Sequence, residues 1–399
     1  MSILDWLSYG FLNWSYLSIG LFTLAVTHVT IVSVTVYLHR FSSHRALKLH
    51  PILQHFFRFW LWLTTGMVTR QWTAIHRKHH AKCETEEDPH SPVVKGIGEV
   101  FWRGAEAYQT SAEDQTILDR YGSGCPDDWL ERNIYSKNSI GITLLAFINI
   151  GLFGVIGLTV WAIQMLWIPL FAAGVINGIG HWWGYRNFEC PDAARNISPW
   201  GILIGGEELH NNHHTYPNSA KLSVKPFEFD LGWAWIRLFE ICGLATVVST
   251  GPVVARVPGK TVIDKDAAWA LLNDRFHVMA RYAEEVVAPA IEQEYKKADS
   301  ASRKLYKKAR KALTREEKLL DPLSRQRISI VVEQNAEIKL VYELHQSLLA
   351  IWAKRGGNVD VVISELVEWC KRAESSGIEA LHEFAETLKS YTTPSAATA

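Results

Sequence analysis

Three short stretches of the chain concentrate imidazoles: HRFSSH with His39 and His44, HRKHH with His76, His79 and His80, and HNNHH with His210, His213 and His214. Neutral imidazole is a common transition-metal ligand. Residues three or four apart share a helical face, so the second and third stretches can each aim their rings at one centre. His39 and His44 are five apart, which suits a helix end. Eight imidazoles exceed what one tetrahedral zinc needs and point to two ions. Zinc stays open as the metal, but imidazole-rich sites with more than four donors also suit iron. His28, His50, His55 and His90 stand apart from the clusters and read as polar residues at an interface.

Something must bring these stretches together. The chain has 399 residues and no formal net charge, so nothing pulls it electrostatically toward nucleic acid. Five cysteines without a CxxC pair fit reduced thiols better than a disulfide framework. Residues to about 255 are apolar and rich in Trp, Phe and Gly; the remainder is charged and helix-forming. Long apolar runs predict membrane spans at about 14–38, 139–157 and 161–180. The first lacks a basic leader and a small-residue cleavage site and reads as retained. The window 52–69 separates two histidine stretches that must share a face. It therefore cannot cross once, and with Arg58 at its middle it reads as an interfacial helix. Arg40, Arg45, Lys48, Arg77, Lys78, Arg103, Arg132 and Lys137 flank the apolar segments on the side predicted to be cytoplasmic. The expected fold is an all-α integral membrane protein of the cytoplasmic membrane, with a histidine-rich cytoplasmic cap.

The stretches HRxxxH, HRxHH and HNNHH, in that order, resemble the boxes of membrane-bound fatty acyl desaturases of the stearoyl-type Δ9 class. WTAIHRKHH with its trailing EEDPHSP, GEELHNNHHTYP and NGIGHWWGYRNF (177–188) resemble elements of the same family. The resemblance covers roughly residues 15–240. It implies two iron ions held by His39, His44, His76, His79, His80, His181, His210, His213 and His214, with Asn177 contacting one iron through water. It also implies that Trp72 lies beside the substrate tunnel. Glu207 and Glu208, just before the third box, are candidate partners for ligand N–H groups. Two departures stand out. Animal acyl-CoA members carry an Arg-Asp pair where this chain has Ala74 and Ile75, which weakens a CoA carrier, although Arg70 is nearby. Those members also have two spans before the first box, for which 38 residues are too few.

The expected reaction is the O2-dependent insertion of a cis double bond into a long-chain saturated acyl group, on phospholipid or CoA. It needs no catalytic side chain apart from the metal site. Side chains cannot supply an oxidant strong enough for an unactivated CH2–CH2 pair, so the metal must. No GxGxxG opening a helix and no four-cysteine iron–sulfur spacing occurs, so electrons are expected from an external ferredoxin- or rubredoxin-type donor with its NAD(P)H reductase. The competing readings are a membrane hydroxylase with the same site and a non-catalytic metal-binding membrane protein. Domain 1–251 would hold the site, followed by a linker at 252–262, a helical cytoplasmic region at 263–391 and a disordered tail at 392–399. The basic run RKLYKKARK (303–311) could meet anionic lipid or a redox partner.

Overall fold

The computed structural model describes residues 2–354 and 356–397. The chain forms two compact units: Met1–Arg186 with Asp192–Gly251, and Asn187–Pro191 with Pro252–Ala399.

In the first unit Ser2 caps a short helix α1, Ile3–Tyr9. The Ser15 hydroxyl accepts from Ser18 N–H and opens α2, Tyr16–Val32, which continues as π-wound turns over Ser33–Ser43. Leu47–Leu49 then pairs antiparallel with Ala245–Val247. His50 caps α3, Pro51–Thr64, with proline in the first turn, where its missing N–H costs nothing. Next come α4, Thr69–Lys82, α5, Pro92–Lys95, α6, Ile97–Glu113, and α7, Gln115–Tyr121. An apolar hairpin follows: α8, Asn138–Phe153, and α9, Ile156–Ile168, the latter extended by π-wound turns over Pro169–Ile179. Two further helices complete the unit, α10, His210–Thr215, and α11, Leu231–Ile241, whose first turn is held by Asp230. The core that fixes the first π-wound segment packs Val36, Tyr37 and Leu38 against Phe57 and Leu61 of α3, Ile168 and Ile236.

Among the described residues, two helices are long and apolar enough to cross a membrane, Tyr16–Ser43 with 28 residues and Ile156–Ile179 with 24. The third expected span, α8, is equally apolar but has 16 residues, fewer than a typical crossing uses. The hairpin turns at Gly154–Val155, ahead of the expected break between 157 and 161. Gly154 takes a left-handed φ of +68°, and a Cβ there would fall 2.3 Å from the Leu7 carbonyl oxygen. Arg58, at the middle of the helix expected to be interfacial, is buried within the protein and donates to both oxygens of Asp128 at 2.7 Å and to Glu131 at 2.8 and 3.1 Å.

The second unit is a helical body. Its helices are α12, Lys265–Asn273, α13, Arg275–Tyr282, α14, Ala288–Lys297, α15, Ser300–Ala312, α16, Pro322–Gln334, α17, Ala336–Ala353, α18, Val359–Glu374, and α19, Glu379–Ser390. Asp264, Asp299, Asp321, Asn335 and Asn358 each accept a first-turn N–H at a helix start. Trp369, Tyr282 and Phe384 lie at its centre, with Trp369 Nε1 donating to Leu344 O at 2.9 Å. The expected linker and tail are both built into this body. Ala255–Arg256 pairs antiparallel with Tyr391–Thr392, and Pro394–Ala397 is helical. Residues 398 and 399 of the expected tail lie outside the described residues.

Candidate metal centre

The nine histidines singled out above gather in two groups. His39, His44, His76, His80 and His213 form one; His79, His181, His210 and His214 form the other. Within each group the ring nitrogens lie within 4.8 Å of one another. The elements account for the sorting. His39 and His44 close the π-wound end of α2, where the His44 N–H donates to the His39 carbonyl. Five residues is the hydrogen-bond step of a π-helix, so that winding brings the two rings to one side. On α4, His76 and His80 are one turn apart and join the first group, while His79 turns to the second. On α10, His213 joins the first group, and His210 and His214 the second. His181 follows the π-wound extension of α9.

The other residues of the three stretches are the scaffold. Arg40 is 1% exposed and donates to Ala220 O, to Gly205 O and to both oxygens of Asp230. This ties the first stretch to the loop that carries the third. Arg77 donates to the carbonyls of Ser42, Ser43, Tyr121 and Ser123 at 2.8–3.0 Å. Asn212 donates to Leu222 O and to Glu228 at 2.9 Å.

Four rings have Nδ1 against a carboxylate: His39 with Glu207 at 2.8 Å, His79 with Asp88 at 2.9 Å, His181 with Glu84 at 3.0 Å and His214 with Asp192 at 3.1 Å. A carboxylate at Nδ1 fixes the tautomer and leaves Nε2 free to ligate. Burial works against ionising Asp88, but the His79 ring and the His90 N–H hold its carboxyl down at about 2. Glu84 and Glu207 are likewise held below the usual range despite burial, by His181 and His39 respectively. Glu208 has no such role: it accepts from the backbone N–H groups of Ile204 and Gly206. Glu84, Asp88 and Asp192 were not among the expected residues. Asp88 lies in the EEDPHSP stretch beside the second box, where a carboxylate signal was available. Glu84 reaches His181 from a left-handed backbone, φ +62°, at the end of α4.

The ring nitrogens also converge on one another. Nε2 of His213 lies 3.0 Å from that of His39 and 2.8 Å from that of His80; His44 and His76 are 2.8 Å apart, and His181 and His210 3.0 Å. Nε2 atoms of His79 and His214 are buried without a hydrogen-bond partner. Burial first, then the neighbouring rings, pushes His44, His76, His80, His210, His213 and His214 well below the usual imidazole range, so these rings are neutral. Two nitrogens at right angles about 2.1 Å from one ion stand about 3.0 Å apart. The donor sets therefore fit two metal ions, and five nitrogens in one group exceed a tetrahedral zinc site.

A cavity of about 460 Å³ opens onto both groups. Its walls include His39 and His76 from the first and His210 from the second, with Val34, Ile75, Ile168, Ala172 and Ile176 between. Trp72 lines it and stacks on His76, ring centres 4.9 Å apart. Asn177 also lines it. His90, expected at an interface, is instead buried in the wall, 5.7 Å from the His79 ring centre. His28 and His50 have local partners: His28 accepts from Trp235 Nε1, and His50 caps α3.

Comparison with known proteins agrees with this geometry. Residues 14–237, more than half of the chain, match the fatty acid desaturase family, and the chain belongs to it. It is similar to a Δ9 desaturase-like 3 protein of Arabidopsis thaliana, 31% identical over 55% of this chain and 73% of the relative. It is also similar to Δ9 acyl-lipid desaturase 1 of the same plant, 28% identical over 54% and 70%. An acyl-CoA 5-desaturase of Anemone leveillei is 29% identical over 59% and 72%. The protein is thus an oxidoreductase of the desaturase class, and its two long apolar helices associate it with a membrane. Residues 267–397 match a transposase family model, about a third of the chain. Among the described residues of that stretch, no group of His, Cys, Asp and Glu side chains converges at metal-binding distance.

Proposed function

We propose that the protein is an O2-dependent, di-iron desaturase that inserts a cis double bond, of Δ9 type, into long-chain saturated acyl groups. The observation that carries this reading is the apolar cavity walled by histidines of both groups. One iron would be held by His39, His44, His76, His80 and His213, and the other by His79, His181, His210 and His214, with Asn177 bonded through water. Iron bound there supplies, with O2 and two electrons, an oxidant able to take hydrogen from two adjacent CH2 groups. The balance is one CH2–CH2, O2, two electrons and two protons giving one CH=CH and two waters.

The chain's own residues position the acyl group. The cavity walls confine a flexible hydrocarbon to few conformations, which brings the reacting carbons against the histidines. The Trp72 ring backs His76 and narrows the passage. Asp88, Glu84 and Asp192 accept from ring N–H groups, and Glu207 lies against the His39 ring, so that the opposite nitrogens stay aimed inward.

A glycerolipid-bound chain is the carrier these residues favour. The cavity's polar edge carries Gln71, Gln109, Glu113 and Asn138, an acid and amides rather than cations that would grip CoA phosphates. Ala74 and Ile75 are buried, and Arg70 is paired with Asp119 at 2.8 Å. Electrons are proposed to come from an external ferredoxin- or rubredoxin-type system. The active face is proposed to be on the cytoplasmic side of the inner membrane.

The test is the fatty acid profile of a host that makes no monounsaturates aerobically, expressing the wild type or His210→Ala. O2-dependent monoenes from the wild type alone, appearing first in the phospholipid pool, are expected. Hydroxylated chains would move the assignment to a hydroxylase. Two bound irons without any lipid change would favour a non-catalytic metal protein.

A further inference from the structure

Helix α6 presents Ala105, Tyr108 and Ala112 to the cavity at helical spacing, with Gln109 and Glu113 exposed along the same edge. The Tyr108 hydroxyl is buried and has no hydrogen-bond partner. Buried hydroxyls are nearly always paired, so an unpaired one on a residue that lines a cavity asks for a partner from whatever fills it. Burial pushes the phenol above its usual range, so it keeps its proton and can donate. The rest of that wall offers the ring mainly hydrocarbon: Tyr108 packs on the cluster of Ala74, Ile75, Ala112 and Ile117.

An acyl group is hydrocarbon throughout except at its carbonyl, which only accepts. We infer that Tyr108 donates a hydrogen bond to the carbonyl oxygen of the bound acyl group and so fixes which carbons lie against the histidines. The inference rests on the desaturase reading above. The position of a double bond is a distance, counted in CH2 groups, from the carbonyl to the reacting pair. His39, His76 and His210 fix one end of that distance, and a buried donor with no partner in the protein, on a residue lining the same cavity, fixes the other. Tyr108 is therefore a positioning residue for regiochemistry and takes no part in the hydrogen abstraction.

The experiment compares wild-type protein with Tyr108→Phe, both full length, iron-loaded and supplied with a reductase system in lipid nanodiscs. Iron content is measured alongside, and double bonds are mapped by mass spectrometry. The expected result for Tyr108→Phe is unchanged iron, a KM raised several-fold and at most about tenfold, and double bonds spread over neighbouring positions. A role limited to packing would lower yield without scattering the isomers. Should Tyr108→Phe fail to accumulate, the same carbonyl is removed from the substrate side. The wild type is then given a 1-O-alkyl glycerolipid, an ether in place of the ester, and the same scatter is expected. A single, unshifted isomer from either arrangement overturns the assignment. Absence of monoenes from the wild type on ester lipid would instead overturn the function proposed above, and this inference with it.

Discussion

Each carboxylate at a histidine Nδ1 trades a buried negative charge for control of a ring. Asp88 shows how far this is taken: its Oδ1 meets His79 Nδ1 and the His90 N–H, and its Oδ2 accepts from Glu84 N–H. Asp88→Asn keeps the shape and removes the charge. Iron affinity of the second group is expected to fall by about 10–100-fold, read by chelator competition, with the melting temperature as a control for folding. The histidines of the second and third stretches could be grouped in the sequence because their separations follow helical faces, whereas His181 came only from the family resemblance. Their partners were harder to read. Asp192 meets His214 from 22 positions away, and Glu84 meets His181 across 97. Such pairings depend on loop paths that no local period records. Glu208 was misplaced for the same reason: adjacent to Glu207, it points into its own loop.

At the scale of elements, the site depends on helices that come very close. A Cβ on Gly157 of α9 would fall 2.0 Å from Asn149 O on α8, and beside this contact Asn149 Nδ2 donates to Gln164 Oε1 at 3.0 Å. Small residues let helices approach in an apolar environment, where packing and interhelical hydrogen bonds replace the hydrophobic drive. Gly157→Ala is expected to cost about 1–3 kcal/mol by overpacking. Gly20→Ala, with nothing within 4 Å of its Cβ, is expected to be neutral or slightly stabilising. Thermal unfolding in one detergent distinguishes the two. The apolar runs announced these helices but not their winding. Both segments that lead from the apolar helices to clustered histidines are π-wound, Ser33–Ser43 before His44 and Pro169–Ile179 before His181. Hydrophobicity does not distinguish π from α turns, so the five-residue step at His39 and His44 read only as a helix end.

The whole molecule joins a desaturase unit to a helical body with its own core and its own acid response. His345 on α17 is fully buried beside the Tyr282 ring, 5.7 Å between centres. Burial lowers its pKa from 6.5 to about 4. The unfolded chain therefore binds a proton in that window that the folded body refuses. The neutral ring's contribution is complete above about pH 6.5 and is lost as pH falls toward 4, roughly 3 kcal/mol in all. Hydrogen exchange across residues 263–397 should show the body loosening over this range, and His345→Gln should flatten that dependence. That this region is helical was foreseeable from its charged, helix-forming composition. The closure of Ala255–Arg256 on Tyr391–Thr392 was not, because two-residue strands leave no pattern.

Asn187–Pro191 belongs to the second unit although it lies in the sequence between two stretches of the first. The chain enters that unit for five residues, returns to the first, and comes back at Pro252 to stay. During synthesis Phe188 and Cys190, both nearly inaccessible in the finished fold, emerge long before the helices of their own unit exist. Phe188 meets the edge of His277, and Glu189 pairs with Arg315, residues translated some 90 to 125 positions later. In the finished fold this segment sits between His181, which faces Glu84, and Asp192, which faces His214. Ending the chain at Gly251 would make the absence of the later helices permanent.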